Sequence, residues 1–538
     1  MKNKQIHSLC ISALLTLILF GGVFITSECF MNVENDSKAY FIGLTVSLIF
    51  IVSFVWRSGI SHLINALHHP FLQIGITSVC LLLSVYGLLQ YMVLIPSRHA
   101  AFLVTGTFEN PAGFAAVQAA MFPFAFALYM EKCNTSVLRI FAMLSSLACM
   151  LTVALSGSRA GLLAVCAAVV TVSLFQSRIL VLFRTRRWLW LPVVVIIILA
   201  AVLLYYSKSD SADGRLFIWG RCLEIISERP LFGHGIGGFQ RCYMDAQAAY
   251  FSAHPDSPYV MLADNVTHPF NEYLKLTVNC GLAGLIVALS VLALVVYKLL
   301  KADERIKTVG LAVTASVFVM CQFSYPFHYA AVWFVAALAV LPAFFPESQD
   351  SGGQFLPAIW RISLVVILSL LLAGVLRMMY LDMKWTEMSK RALAGYAERM
   401  LPYYEQMKPV MKHNPLFLYN YAAELNYVGR YEESLAVAKE CMERLNDYDV
   451  QMLLADSHTG AGQPAEAIAA YRQALRMIPC RFEPLDGMLE LYASSGDVEK
   501  SCSVAHEILA KKIKVPSARV MQIRHHAEAV LEQLGSSQ

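Results

Sequence analysis

THPFNEYLKLTVNCGLAGLIVALSVLALVVYKLL, residues 267–300, decides the fold. Its second half, about 280–297, is a run of apolar residues long enough to cross a hydrocarbon core of roughly 30 Å. Similar runs lie at about 8–26, 39–55, 71–94, 113–130, 137–155, 160–175, 189–206, 308–323, 329–345 and 361–380, giving about eleven spans. Segment 329–345, flanked by Pro326 and Pro342, is the least regular of them. The composition agrees: 57% of residues are hydrophobic and only 15% charged, with a mean hydropathy of +0.55, which excludes an ordinary soluble globule. The first run lacks a small-residue cleavage site and reads as a retained span. The expected fold is all-α: a polytopic membrane bundle over 1–382, then a helical domain over 383–538.

Charge sets the orientation. With the N-terminus in the cytoplasm, the inner loops hold fourteen Lys and Arg, among them Lys2, Lys4, Arg57, Arg139, Arg184, Lys298, Lys301, Arg305, Lys307 and Arg361. The short outer loops hold three, Lys38, Arg98 and Arg159, so the positive-inside rule favours this topology. It places the long loop at about 207–268 and the tail from 383 outside the cytoplasm. The net charge of +4 follows from the inner loops and implies no nucleic-acid partner. The thirteen cysteines form no CxxC, so no zinc site or disulfide framework is indicated. Cys222 and Cys242 share the long loop and are available to pair in an oxidising compartment.

The tail repeats itself. Gly429, Gly462 and Gly496 recur at intervals of 33 and 34 residues. At fixed offsets from them come Ser434, Ala467 and Ser501, then Ala438, Tyr471 and Ala505, then Cys441, Ala474 and Ile508. Small residues in that register let two antiparallel helices approach, and the larger ones fill the space between units. The pattern resembles the tetratricopeptide repeat, most clearly over 449–481, with an irregular unit at 387–415. Such solenoids bind protein or peptide, so a protein partner is expected there.

Four polar clusters fall on the expected outer side. In GTFENP, Asn110 followed by Pro111 reads as a helix cap with proline in the first turn. In SGSR, Ser158 can cap the next span, and Arg159 beside hydrocarbon either snorkels to water or meets an anion. In GRLFIWGRCLEII, Arg215 and Arg221 lie along an amphipathic helix, as a solvated edge or as anion ligands. PLFGHGIGGF carries glycines at 233, 235, 237 and 238, which implies a tight loop whose backbone can approach a ligand; His234 reads as a loop residue. In THPFNEYLKL, Pro269 as first helical residue puts His268 at the cap, with Asn271 and Glu272 in the first turn. A helix N-terminus favours anions, and an imidazole there can accept a proton from a hydroxyl. His328, in SYPFHY, is a second histidine on the same side.

In this order the clusters resemble the O-antigen ligase/polymerase family of integral membrane glycosyltransferases, over roughly residues 100–345. GTFENPAGF looks like that family's GTFGNPN, SGSRAGLLA like its serine–arginine turn, and GRLFIWGRCLEIISERPLFGHGIGGF like its arginine–tryptophan–"PLLGxGxG" stretch. THPFNEYLKLTVNCGLAGL is similar to its HNEYLxxxxxxG helix. A tetratricopeptide tail also recurs in some members. The chain departs from the pattern at Glu109, where the family has glycine, and at Ala112, where it has asparagine. The family histidine directly precedes Asn-Glu-Tyr; here Phe270 holds that place and His268 stands two residues earlier.

The resemblance implies a GT-C-like fold in the bacterial inner (cytoplasmic) membrane, with the long loop and the repeat domain in the periplasm. It implies a glycan donor linked to a polyprenyl pyrophosphate and an acceptor hydroxyl on lipid A-core, on another lipid-linked glycan or on protein. Transfer would be inverting and need no metal or other cofactor. Carried over residue by residue, His268 is the base, Arg159, Arg215 and Arg221 hold the diphosphate, and Asn110, Asn271, Glu272 and His328 support them. A lipid-linked glycan transporter and a non-catalytic assembly factor are the readings from other classes. A transporter would be expected to carry ionisable groups in mid-span, and these spans are nearly free of them.

Overall fold

The computed structural model describes residues 2–55, 59–131, 135–176, 209–347 and 357–536. The expected span at 189–206 lies outside the described residues, as do Arg57 and Arg184. The described chain is all-α, and it divides into two compact units. The first comprises Met1–Leu204, Phe270–Glu272 and Val287–Thr386; the second comprises Tyr205–Pro269, Tyr273–Ile286 and Glu387–Gln538. The long loop therefore groups with the tail.

The first unit contains α1 (Lys2–Phe24), α2 (Asn35–Val55), α3 (Gly59–His68), α4 (Pro70–Tyr91), α5 (Pro111–Met130), α6 (Ser136–Leu155) and α7 (Arg159–Gln176). Among the described residues, nine helices in the chain are long and apolar enough to cross a membrane, and the protein is a multi-pass membrane protein. At its centre is α5, packed on α4, α6 and α7. Alanines let these neighbours approach, and Ala115, Val117, Ala119 and Phe122 are almost fully buried. The polar exception, Gln118, donates to Ser84 Oγ at 2.9 Å, so its amide is paired within the apolar interior.

The second unit opens with α8 (Ser209–Glu228) and α9 (Gly238–Ala253). The next helix, α10 (Glu272–Leu300), begins in the first unit, passes through the second and returns to the first at Val287. It breaks at Gly281, whose φ is +66°. Beyond the break Ile286, Val287 and Val291 are more than half exposed, apolar surface that suits a lipid environment. The first unit then adds α11 (Glu304–Phe323), packed on α7 and α5, and α12 (Ala330–Phe344). The expected span at 329–345 is thus a helix of 15 residues, because Tyr329 and the Pro326–His328 turn occupy the preceding positions. Last comes α13 (Ala358–Arg391).

Away from the clusters of interest, two cations close helix ends in the first unit. Arg305 donates to the carbonyl of His68, the last residue of α3, and Arg361 Nη2 donates to the carbonyls of Phe54 at 3.0 Å and Val55 at 3.1 Å. Free carbonyls at a helix C-terminus favour such positive charges. Lys38, expected in an outer loop, is instead in the first turn of α2 and 2% exposed; the helix starts at Asn35, four residues before the expected span, because Asn32 Oδ1 accepts from its amide at 3.0 Å.

The tail adds α14 (Ala397–Met411), α15 (Pro415–Tyr427), α16 (Tyr431–Met442), α17 (Tyr448–Gly460), α18 (Pro464–Met477), α19 (Glu483–Ser494), α20 (Val498–Ala510) and α21 (Ala518–Ser536). Pairs α15/α16, α17/α18 and α19/α20 are hairpins. Gly429, Gly462 and Gly496 turn them with φ of +81°, +72° and +72°, the left-handed region that glycine enters without strain. Ser434, Ala467 and Ser501 are at most 1% exposed, as close helix packing requires. The tail is therefore a helical repeat array with three hairpins in phase.

Candidate functional site

Within the first unit, three separate stretches meet in a polar and aromatic cluster. Asn110 caps α5: its Oδ1 accepts from the amides of Ala112 at 2.8 Å and Gly113 at 3.1 Å. The same side chain donates from Nδ2 to Tyr325 at 3.2 Å and to Glu109 Oε1 at 3.0 Å. Tyr329 donates its hydroxyl to Glu109 Oε1 at 3.0 Å, while Glu109 Oε2 is buried with no hydrogen-bond partner. His328 Nε2 lies 3.0 Å from Asn35 Nδ2, and its ring meets the edges of Tyr325 and Tyr329. Lys38 Nζ donates to the carbonyl of Thr107 at 2.8 Å and lies within electrostatic range of Glu109 and Glu34.

Three further predicted residues join this unit. Asn271 is 7% exposed and donates to the carbonyl of Gln322 at 3.2 Å, while the neighbouring ring of Phe270 lies 5.7 Å from Tyr325. Glu272 follows, with Oε1 buried. Arg159 starts α7, where Ser158 Oγ accepts from the amide of Gly161 at 3.2 Å. A Cβ on Gly161 would lie 2.7 Å from Ala115, so this end of α7 packs near the capped start of α5. Asn110, Asn271, Glu272, His328 and Arg159 thus belong to one body.

The helix start expected at Pro269 is corrected. α10 begins at Glu272, and Phe270 has φ +54°, a conformation that costs a bulky residue about 1–2 kcal/mol. In the second unit Trp219 Nε1 holds the carbonyl of Pro269 at 2.9 Å; in the first, Asn271 is held by Gln322. These two attachments keep 269–271 off the helical path. His268 is therefore four residues ahead of the helix and does not cap it.

In the second unit, Lys275 Nζ lies 3.5 Å from His268 Nδ1. The ammonium beside the imidazole makes the spot attractive to an anion. Sequence reasoning quoted Lys275 within its motif but gave it no role. Arg215 lies one turn before Trp219 and shares its face of α8, the face that meets Pro269. Arg221 is two positions past Trp219, about 200° around the helix. It stands 4.1 Å over the ring of Tyr250 and pairs with Glu224 at 2.7 Å, its side chain 14% exposed. The structure thus separates the two arginines: Arg215 is on the His268 side, and Arg221 is packed against aromatic rings.

The glycine-rich loop finds its close partner within the protein. His234 and Gly235 donate backbone bonds to the carbonyls of Val278 at 2.9 Å and Asn279 at 2.8 Å. In return Leu282 and Ala283 donate to the carbonyls of Pro230 at 2.8 Å and Leu231 at 3.1 Å. The break at Gly281 exposes the amides and carbonyls that make these bonds, so loop and kink complete each other. His234 is a structural residue: Nε2 lies 2.9 Å from the carbonyl of Ile225. Cys222 and Cys242 are unpaired; burial pushes the Cys222 thiol up to about 12.

Sequence reasoning missed Asn35, Lys38, Glu109, Tyr325 and Tyr329 as members of the first cluster. Glu109 was visible as a departure from the resembled motif; the tyrosines gave no signal apart from their nearness to His328.

Comparison with known proteins finds two stretches of similarity. Anaphase-promoting complex subunit 7 from Homo sapiens and from Mus musculus is each 30% identical to this chain over 84 residues. The match covers 15% of this chain and 15% of each relative, so the chain spans a small fraction of those proteins. Residues 141–289, which include Arg159, Arg215, Arg221, His268 and the Gly281 kink, match the family model described as O-antigen ligase, a similarity that supports membrane glycosyl transfer of the O-antigen ligase/polymerase type.

Proposed function

We propose that the protein transfers a glycan from a polyprenyl-pyrophosphate carrier to an acceptor hydroxyl at the periplasmic face of the bacterial inner membrane, as O-antigen ligases do. The observation that carries this reading is the family match over 141–289, which contains both the glycine-locked kink and the His268–Lys275 pair. The tail is read as a tetratricopeptide-like array, with Arg215 and Lys275, which share the second unit with His268, as the cations for the diphosphate. Arg221, already paired, supports the loop.

The acceptor oxygen attacks the anomeric carbon while the bond from that carbon to the diphosphate oxygen breaks. The hydroxyl proton passes to His268, and the electron pair leaves on the lipid diphosphate. Negative charge builds on that leaving group, so cations fixed before the reaction lower the barrier. At 4 Å and an effective dielectric near 20, one cation attracts a unit negative charge by about 4 kcal/mol before desolvation. No metal enters this scheme.

The acceptor remains a choice among lipid A-core, a second lipid-linked glycan (polymerase activity) and protein hydroxyls. Purified protein reconstituted with a lipid-linked glycan and tested with each acceptor class separates these. Transfer to one class is expected. Movement of the donor across the bilayer without covalent transfer would instead establish a transporter.

A further inference from the structure

We infer that the repeat array takes the chain's own loop as its partner and sets the position of the segment leading to His268. The array presents three successive turns, each following one hairpin: 443–447, 478–482 and 511–517. The loop engages all three. At the first, Asn446 donates its backbone amide to the carbonyl of Gln240 at 3.3 Å and its Nδ2 to Asp245 Oδ2 at 2.7 Å. Asn265 Nδ2 donates to Asp447 at 3.2 Å and to Asp449 at 2.9 Å. At the second, Cys480 Sγ lies 3.8 Å from the carbonyl of Ala263, and Arg481 pairs with Asp264 at 3.7 Å. At the third, Lys514 Nζ donates to the carbonyl of Ala263 at 2.9 Å.

The anchor is Gln247, 1% exposed on α9. Its Nε2 donates at 2.7 Å to the carbonyl of Met477, the last residue of α18, which has no partner within its helix. Its Oε1 accepts from the Tyr243 hydroxyl at 2.9 Å, and Nε2 also reaches the carbonyl of Asp264 at 3.2 Å. A buried amide satisfied on both sides specifies one arrangement of loop on array. Asn265 is three residues from His268, so this docking leaves little slack before the proposed base. Phe217, Tyr250, Phe251 and Tyr259 pack together, and through them α8, with Arg215, is held by the same docking.

The consequence for transfer rests on the proposed function; the docking does not. The test uses full-length protein in detergent and follows glycan transfer together with backbone hydrogen exchange over 238–253. Gln247→Met keeps the shape but strands the Met477 carbonyl. Asn446→Asp sets a second carboxylate against Asp245. The double exchange Asp245→Asn with Asn446→Asp restores an amide–carboxylate pair and still accepts from Gln451 and Gln473, which bond these two side chains at 2.8 Å and 3.0 Å. Each single variant is expected to lose protection over 238–253 and to lower kcat about tenfold, with a smaller change in KM. The exchange is expected to recover both.

Unchanged protection in both single variants would overturn the docking. Lost protection with unchanged kcat would overturn the positioning role, as would an exchange that recovers protection but not kcat. Absence of transfer by the wild type would overturn the glycosyl-transfer reading and with it the positioning role, while hydrogen exchange would still decide the docking.

Discussion

Gly233 and Gly281 meet backbone to backbone: a Cβ added to Gly233 would lie 2.6 Å from the amide nitrogen of Gly281, and one added to Gly281 would lie 2.2 Å from the carbonyl oxygen of Leu231. Both have positive φ, +67° and +66°. The contact explains why a glycine-rich loop and a glycine in the middle of an apolar helix occur in one chain. Each supplies the room and the hydrogen-bonding groups that the other needs.

Alanine at either position meets backbone, which cannot move aside as a side chain can. Gly233→Ala and Gly281→Ala are each expected to cost about 3 kcal/mol or more, from strain and steric conflict together. Gly235→Ala is the control: φ is +88° with nothing within 4 Å of the added Cβ, so only the conformational cost of about 1–2 kcal/mol applies. Thermal unfolding of the three purified variants checks the order. Equal losses would mean that the contact is not tight.

His268→Ala is expected to lower kcat by about 10²- to 10⁴-fold, the usual contribution of a general base, while His328→Ala leaves most of it. Steady-state transfer kinetics for both variants decide between the two histidines. The reverse pattern would move the base to His328 and its partner Asn35.

Arg215→Ala and Arg221→Ala are expected to fail differently. The first should reduce transfer with little change in unfolding temperature. The second removes the stacking on Tyr250 and the pair with Glu224, a loss of about 0.5–2 kcal/mol. Unfolding curves beside transfer rates separate the effects. An Arg221→Ala protein that is fully stable but inactive would return this arginine to the diphosphate.

Glu424, in α15, is 7% exposed, and burial raises its carboxyl pKa against the opposing hydrogen bond from Asn420. Folding therefore favours the protonated form. That stability is complete below the unfolded-state pKa and is lost as pH rises through the folded-state value. Glu424→Gln should raise the unfolding temperature at neutral pH and leave it unchanged below about pH 4, where the unfolded-state glutamate is also protonated. An equal gain at both pH values would point to packing instead.

The apolar runs were legible because membrane-crossing length depends only on local composition. The Asn110 cap was legible because a cap needs only its own neighbours. Phe270 was not: nothing local gives a phenylalanine positive φ, and the attachments of Pro269 to Trp219 and of Asn271 to Gln322 impose it. Arg215 and Arg221 read alike in sequence, since each is an arginine on an amphipathic helix. The ring of Tyr250, far along the chain, distinguishes them.

By itself the sequence determined a multi-pass helical protein, the repeat register of the tail and the stretch that resembles glycan ligases. Only the tertiary structure decided that Gly281 breaks its helix to receive the 230–235 loop, that Glu109 and Tyr329 join His328, and that Gln247 closes the end of a tail helix. Hydropathy and small-residue spacing are summed over neighbours in the chain. The latter pairings join residues far apart in sequence, and each is fixed by a carbonyl, ring or carboxylate that another segment brings.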